Sequence, residues 1–162
     1  MNNVDENYPQ AKPALYAMLA EQMYALLEGE RNLIANLANA SALLNTALRD
    51  INWVGFYLMT EGELVLGPFQ GKVACVRIAA GKGVCGTAAA QDTTTLVYDV
   101  HRFPGHIACD SNSNSEIVIP LHRAGEVVGV LDIDSPIVGR FDEQDRAGLE
   151  KIALVIEQAC WS

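Results

Sequence analysis

Apolar residues at Leu15, Leu19, Met23, Leu26 and Leu27 recur at helical spacing, between Pro13, suited to a first turn, and Gly29, a natural stop. A second helix is predicted from about Asn32 to Leu48, with Leu33, Leu37, Leu44 and Leu48 on one stripe. From Asp50 the period falls to two. INWVGFYL and ELVLGPF read as strands, joined by a hairpin turn at Thr60, Glu61 and Gly62. In the first of these, Val54, Phe56 and Leu58 share one face and Trp53, Gly55 and Tyr57 the other. The aliphatic face predicts core. The aromatic face is either the wall of a pocket or ordinary packing under a loop.

A third strand is predicted over Val73 to Ile78, a short helix in GKGVCGTAAAQ, and a further strand over Thr95 to Asp99. Between Val100 and Ser115 the chain loses periodicity, and its length there suits a functional lid. Glu116 to Leu121 and Val127 to Asp134 predict a hairpin around Arg123, Ala124 and Gly125. Asp142 is a good N-cap for a closing helix to about Cys160. Two helices, three strands, a helix, three strands and a helix, connected by hairpins, predict an α+β fold. Its mainly antiparallel six-stranded sheet would carry two N-terminal helices and a C-terminal helix, as a single domain over residues 1–162.

Composition agrees with a globular chain: of 162 residues, 50% are hydrophobic and 19% charged. A net charge of -9 with no offsetting basic patch argues against a nucleic-acid partner, whose phosphates require Lys and Arg. The polar, acidic start MNNVDENYPQ does not resemble a signal peptide, and no apolar run is long enough for a membrane span. The expected compartment is the cytoplasm, where the four cysteines would be free, buried or catalytic rather than a disulfide framework.

Cys75, Cys85 and Cys109 fall within Gly71 to Glu116 in three different settings, and no Cys-x-x-Cys occurs. Cys75 alternates with apolar neighbours, as a buried hydrophobe does. Cys85 starts a helix, whose positive end would lower a thiol pKa, so by local chemistry it rivals Cys109. Cys109 lies in the polar loop beside Asp110 and three residues after His106, which is a base, a metal ligand or a solvated loop residue. Cys160 reads as a spectator. Gly81, Gly83 and Gly86 match a dinucleotide-binding fingerprint, and Asp99 falls near the position of a ribose-binding acid. Hairpins instead of βαβ crossovers assign these glycines to a tight turn and close helix packing.

Asp132 and Asp134, two apart, project from one face of an otherwise apolar strand. A hairpin register that brings Glu116 beside them would make an acidic cluster able to bind an ammonium group, with crowding raising one carboxyl pKa; the other reading is an exposed sheet face.

Taken together, NWVGFYL, LGPFQGKVACVRI, GKGVCGTA, DVHRFPGHIACDSNSNSEIVIPL and GVLDIDSPIVGRFDEQD resemble the free methionine-(R)-sulfoxide reductases, a catalytic branch of the GAF-domain superfamily, over about residues 25 to 157. The resemblance implies that Cys109 attacks the sulfoxide sulfur, releasing methionine and leaving a sulfenic acid. It implies that Cys75 resolves this as a disulfide, that Cys85 is the third family cysteine with access to alternative disulfides, and that thioredoxin recycles the enzyme. Glu116, Asp132 and Asp134 match the substrate-site carboxylates, with Glu116 the candidate acid, and Trp53 and Tyr57 match the aromatic side of the pocket. No bound cofactor and no metal are implied, and family members are similar to homodimers. The readings from other classes are a GAF sensory module that binds a small molecule without chemistry, and a general thiol peroxidase.

Overall fold

The computed structural model describes residues 8–106 and 111–162. Two helices, α1 (Lys12–Leu27) and α2 (Leu33–Ala47), precede strands β1 (Trp53–Thr60), β2 (Glu63–Gly71) and β3 (Arg77–Ala79). Helix α3 (Gly83–Gln91) then leads to β4 (Thr95–Val97), a 3₁₀ turn at Val100–Arg102, β5 (Ser115–Arg123), β6 (Glu126–Ser135) and α4 (Glu143–Trp161). The strands form one six-stranded sheet in the order β3-β2-β1-β6-β5-β4. Every paired neighbour is antiparallel. The α+β architecture expected from the periodicities is therefore the observed one.

Both tight hairpins are set by local chemistry. Glu61 and Gly62 in one, and Ala124 and Gly125 in the other, hold positive φ at the two central positions. That conformation matches the right-handed twist of the strands it joins. The period of two then sorts side chains between two cores. Val54 and Phe56 of β1, Ile117 and Ile119 of β5, and Leu131 and Ile133 of β6 pack against α1, α2 and α4. Trp53, Tyr57, Val118 and Val130 face the other way, with Val84, Cys85 and Ala88 of α3 over them.

Helix α4 begins in a capping box. Asp142 accepts from the backbone N–H groups of Gln144 and Asp145, and the Asp145 carboxylate accepts from the N–H of Asp142. Asp145 is fully buried and also receives the Tyr16 hydroxyl at 2.6 Å and the Lys12 ammonium at 2.7 Å. This ties α1 to α4, where Gly148 lets the helices approach: a Cβ there would lie 2.1 Å from the Tyr16 ring. Tyr16→Phe removes a hydrogen bond to a buried charge. It is expected to cost about 1.5–3 kcal/mol in urea unfolding, with activity retained.

One predicted element differs. Residues 73–76 are not strand, and β3 is confined to Arg77–Ala79. Val73 and Val76 are 88% and 62% exposed. The segment is held instead by side-chain donors from β1. Trp53 Nε1 donates to the Lys72 carbonyl at 3.2 Å and the Tyr57 hydroxyl to the Cys75 carbonyl at 2.9 Å. Alternation of apolar residues cannot distinguish a ladder strand from a loop pinned in this way. Among the described residues, no helix is long and apolar enough to cross a membrane.

Candidate active site

Register makes the site. In the β1–β6 pair Trp53 lies opposite Asp134 and Gly55 opposite Asp132. In the β5–β6 pair Glu116 lies opposite Asp134 and Val118 opposite Asp132. Trp53, Asp134 and Glu116 thus form one row across three strands, on the face turned toward α3. The acidic cluster, and not an exposed sheet face, is the correct reading: Glu116 is 6% exposed and Asp132 5%.

These residues line one pocket with Tyr57, Cys85, Lys82 and His106. Trp53 stacks on Tyr57 with ring centroids 5.9 Å apart and on Phe69 of β2 at 5.1 Å. The aromatic face is pocket wall and packing at once. The room left by Gly55 belongs to β2, since a Cβ at Gly55 would fall 2.2 Å from that of Phe69. From above, α3 presents its N-terminus to the same pocket through Gly83 and Val84, with no side chain capping it. The glycines of the fingerprint shape this end. Gly81 and Gly83 have positive φ, and a Cβ on Gly86 would meet the Ala79 carbonyl at 2.5 Å. They serve the turn and the close packing that hairpin topology predicts.

The electrostatics follow from crowding in a dry place. Burial, then the charges of Asp132 and Asp134, hold the Glu116 carboxyl well above the usual carboxylate range. Burial also raises Asp132, while hydrogen bonds from Glu116 and Cys85 work the other way. The consistent arrangement is a protonated Glu116 donating to Asp132. Cys85 behaves differently from its helix-start expectation. Burial, Asp132 and Glu116 push its thiol pKa well up, because a desolvated sulfur facing three carboxyl groups outweighs the pull of the α3 dipole. Its Sγ lies 3.9 Å from Glu116 Oε2. Cys85 is a neutral thiol at physiological pH and no rival nucleophile by acidity.

His106 sits half-buried at the pocket edge, where burial and nearby His101 lower its pKa and keep the imidazole neutral. Cys75 is half-buried against the α3-side core. Cys109 and Asp110 lie outside the described residues. Cys160 is far off in the chain's other core, its thiol pushed to about 11 by burial. Lys82 and Ser113 also line the pocket and were not singled out from sequence. The position of Lys82 at the cap of a helix was the available signal; Ser113, in a polar run, offered none.

A carboxyl with a raised folded-state pKa retains a proton that the unfolded chain releases, so stability falls as pH climbs from the ordinary carboxylate range through the raised value. Glu116→Gln removes that penalty. Its thermal midpoint at neutral pH is expected to rise, by about 2–4 °C for each kcal/mol recovered, in a calorimetric scan. A lowered midpoint would mean that the carboxyl stabilises the fold.

The GAF domain family pattern matches residues 14–160. The chain is 54% identical to the free methionine-R-sulfoxide reductase of Escherichia coli (strain K12), over 91% of this chain and 89% of that one. The solved fRMsr of Staphylococcus aureus in complex with substrate superposes with a TM-score of 0.86 at 55% identity, covering 89% of this chain and 94% of that one. A putative GAF sensor protein from Burkholderia vietnamiensis superposes with a TM-score of 0.91 at 57% identity, covering 93% and 96%. With this fold and these relatives, the chain belongs to the GAF-domain family, in the branch of the free methionine-R-sulfoxide reductases.

Proposed function

We propose that this protein reduces free L-methionine-(R)-sulfoxide to L-methionine. The observation that carries the reading is the pocket itself: acids on its floor, aromatic rings at its side and an uncapped helix N-terminus at its rim. A free amino acid bears complementary charges. Its ammonium group finds Asp132 and Asp134, and its carboxylate the first-turn amides of α3. Trp53 and Tyr57 take the S-methyl end. A peptide-bound methionine sulfoxide lacks both termini and would leave the buried carboxylates without a partner, which is strong grounds for rejection.

The chemistry proceeds in balanced steps. The Cys109 thiolate attacks the sulfoxide sulfur, and Glu116 gives its proton to the sulfoxide oxygen, a poor leaving group until protonated. The protonated oxygen passes to the Cys109 sulfur as the S–O bond and the transient S–S bond both break, so methionine leaves and Cys109 is left as a sulfenic acid. The Cys75 thiol then displaces water to form a disulfide with Cys109, which thioredoxin returns to two thiols in a reducing cytoplasm. Cys85, a neutral thiol under the substrate, stands by as an alternative disulfide partner. The bound ammonium group offsets part of the acids' charge before attack.

Methionine formation from each pure sulfoxide epimer, free and peptide-bound, tests the proposal in the presence of the thioredoxin system. Turnover confined to the free R epimer is the expected result; equal rates with peptide-bound sulfoxide would end it. The likeness to a putative GAF sensor favours one other reading, ligand binding without chemistry. Thiol counting separates the two. The enzyme loses about two thiols per chain on adding the sulfoxide without reductant, and a sensor loses none. A general thiol peroxidase would lose them to peroxide only.

A further inference from the structure

Among the described residues, Cys85, Glu116 and Asp132 each bring one ligand atom to within 4.8 Å of the other two, and all three side chains are buried. Three elements supply them: α3 places the sulfur over the sheet face on which β5 and β6 carry the two carboxylates. Tetrahedral zinc, with Zn–S near 2.3 Å and Zn–O near 2.1 Å, separates a sulfur from an oxygen ligand by about 3.6 Å. The Cys85 Sγ to Glu116 Oε2 distance of 3.9 Å is a few tenths of an ångström from that requirement.

A second feature points to a ligand. Asp132 is 5% exposed, and its Oδ1 has no hydrogen-bond partner although it lines the pocket. A buried carboxylate oxygen without a donor is costly, and a cation relieves it. We propose that Cys85, Glu116 and Asp132 form a three-ligand site for a zinc-class dication that binds in the floor of the pocket and excludes substrate.

The donor set selects the ion. A thiolate disfavours the hard cations Mg²⁺ and Ca²⁺, and one sulfur with two carboxylate oxygens suits zinc. The fourth position opens to the pocket and takes water. As the ion enters, the thiol proton of Cys85 and the proton held between the carboxyl groups leave to solvent, so two units of positive charge replace them where the cluster is most crowded. No oxidation is involved, and chelation restores the free site. The metal site stands on these three residues alone, while the exclusion of substrate rests on the function proposed above.

The test uses the full chain with Cys75→Ser and Cys109→Ser, which removes two further cysteines as competing ligands. Titration with Zn²⁺ against a chromophoric chelator is expected to show one equivalent bound, and Co²⁺ in its place a thiolate-to-metal charge-transfer band. Adding Cys85→Ser should abolish the band and weaken binding by more than the roughly 10–100-fold that loss of a supporting contact costs. Asp132→Asn should weaken it likewise, and thermal scans with and without zinc check that each variant is folded. Zinc bound equally well by the Cys85→Ser protein overturns the proposal. Free methionine sulfoxide should compete with the ion. Cys85-dependent binding that the sulfoxide leaves unchanged keeps the metal site and overturns the shared seat, so the two claims fail separately.

Discussion

Cys109→Ser is expected to abolish methionine formation with the thioredoxin system, down to the rate without enzyme. A serine hydroxyl is not ionised near neutral pH and cannot carry the oxygen away as a reducible sulfenic acid, so neither the first step nor recycling has a substitute. Cys75→Ser should act differently. Combined with Cys85→Ser, which removes the alternative disulfide partner, it leaves the attack intact and blocks resolution, so methionine appears once, at about one per chain, and the sulfenic acid becomes trappable by a dimedone-type reagent. Near-normal turnover in Cys109→Ser would remove the assignment. A full single turnover there, together with its loss in Cys85→Ser, would move the nucleophile to Cys85 against the raised pKa that burial and three carboxyl groups impose.

Glu116→Gln is expected to slow the first methionine released by about 10²-fold or more, the usual scale of general acid catalysis. The amide keeps the shape and one donor but has no proton to give. The sign with pH is fixed by the direction of the shift. Glu116 must be protonated to act, and burial with Asp132 and Asp134 raises its pKa, so the native rate holds through the ordinary carboxylate range and falls as pH rises through the raised value. In Glu116→Gln that descending limb should vanish. An unchanged single-turnover rate, or a limb that survives, would leave Glu116 as a binding residue only. The same substitution is expected to stabilise the fold, and that combination of a firmer protein and a slower enzyme marks a group kept at a cost for function.

The acidic row depends on two features of very different legibility. Asp132 and Asp134 are two residues apart on one strand, so their common face is a local consequence of the β pleat and can be read directly. Glu116 joins them only because β5 pairs with β6 in the register that sets it opposite Asp134. A slip of one residue would turn Ile117 and Ile119 into the pocket and Glu116 into the aliphatic core. The two-residue turn at Ala124 and Gly125 would by itself set Glu116 opposite Ile133; the irregularity between Leu121 and His122 shifts the pairing by one residue, and the burial of Ile117, Ile133 and Leu131 on the opposite face holds it there.

Period, turn chemistry and capping residues thus determined, from the sequence by itself, the helices, the hairpins, the split of β1 into an aliphatic and an aromatic face, and the N-cap at Asp142. Each of these is an interaction over a few residues, and a few residues encode it. Only the tertiary structure decided that Cys85 is a buried neutral thiol, that residues 73–76 hang from Trp53 and Tyr57 instead of extending a strand, and that Phe69 fills the space above Gly55. A pKa and a loop path depend on what surrounds a group in space, and those neighbours come from segments tens of residues away whose approach no local pattern records.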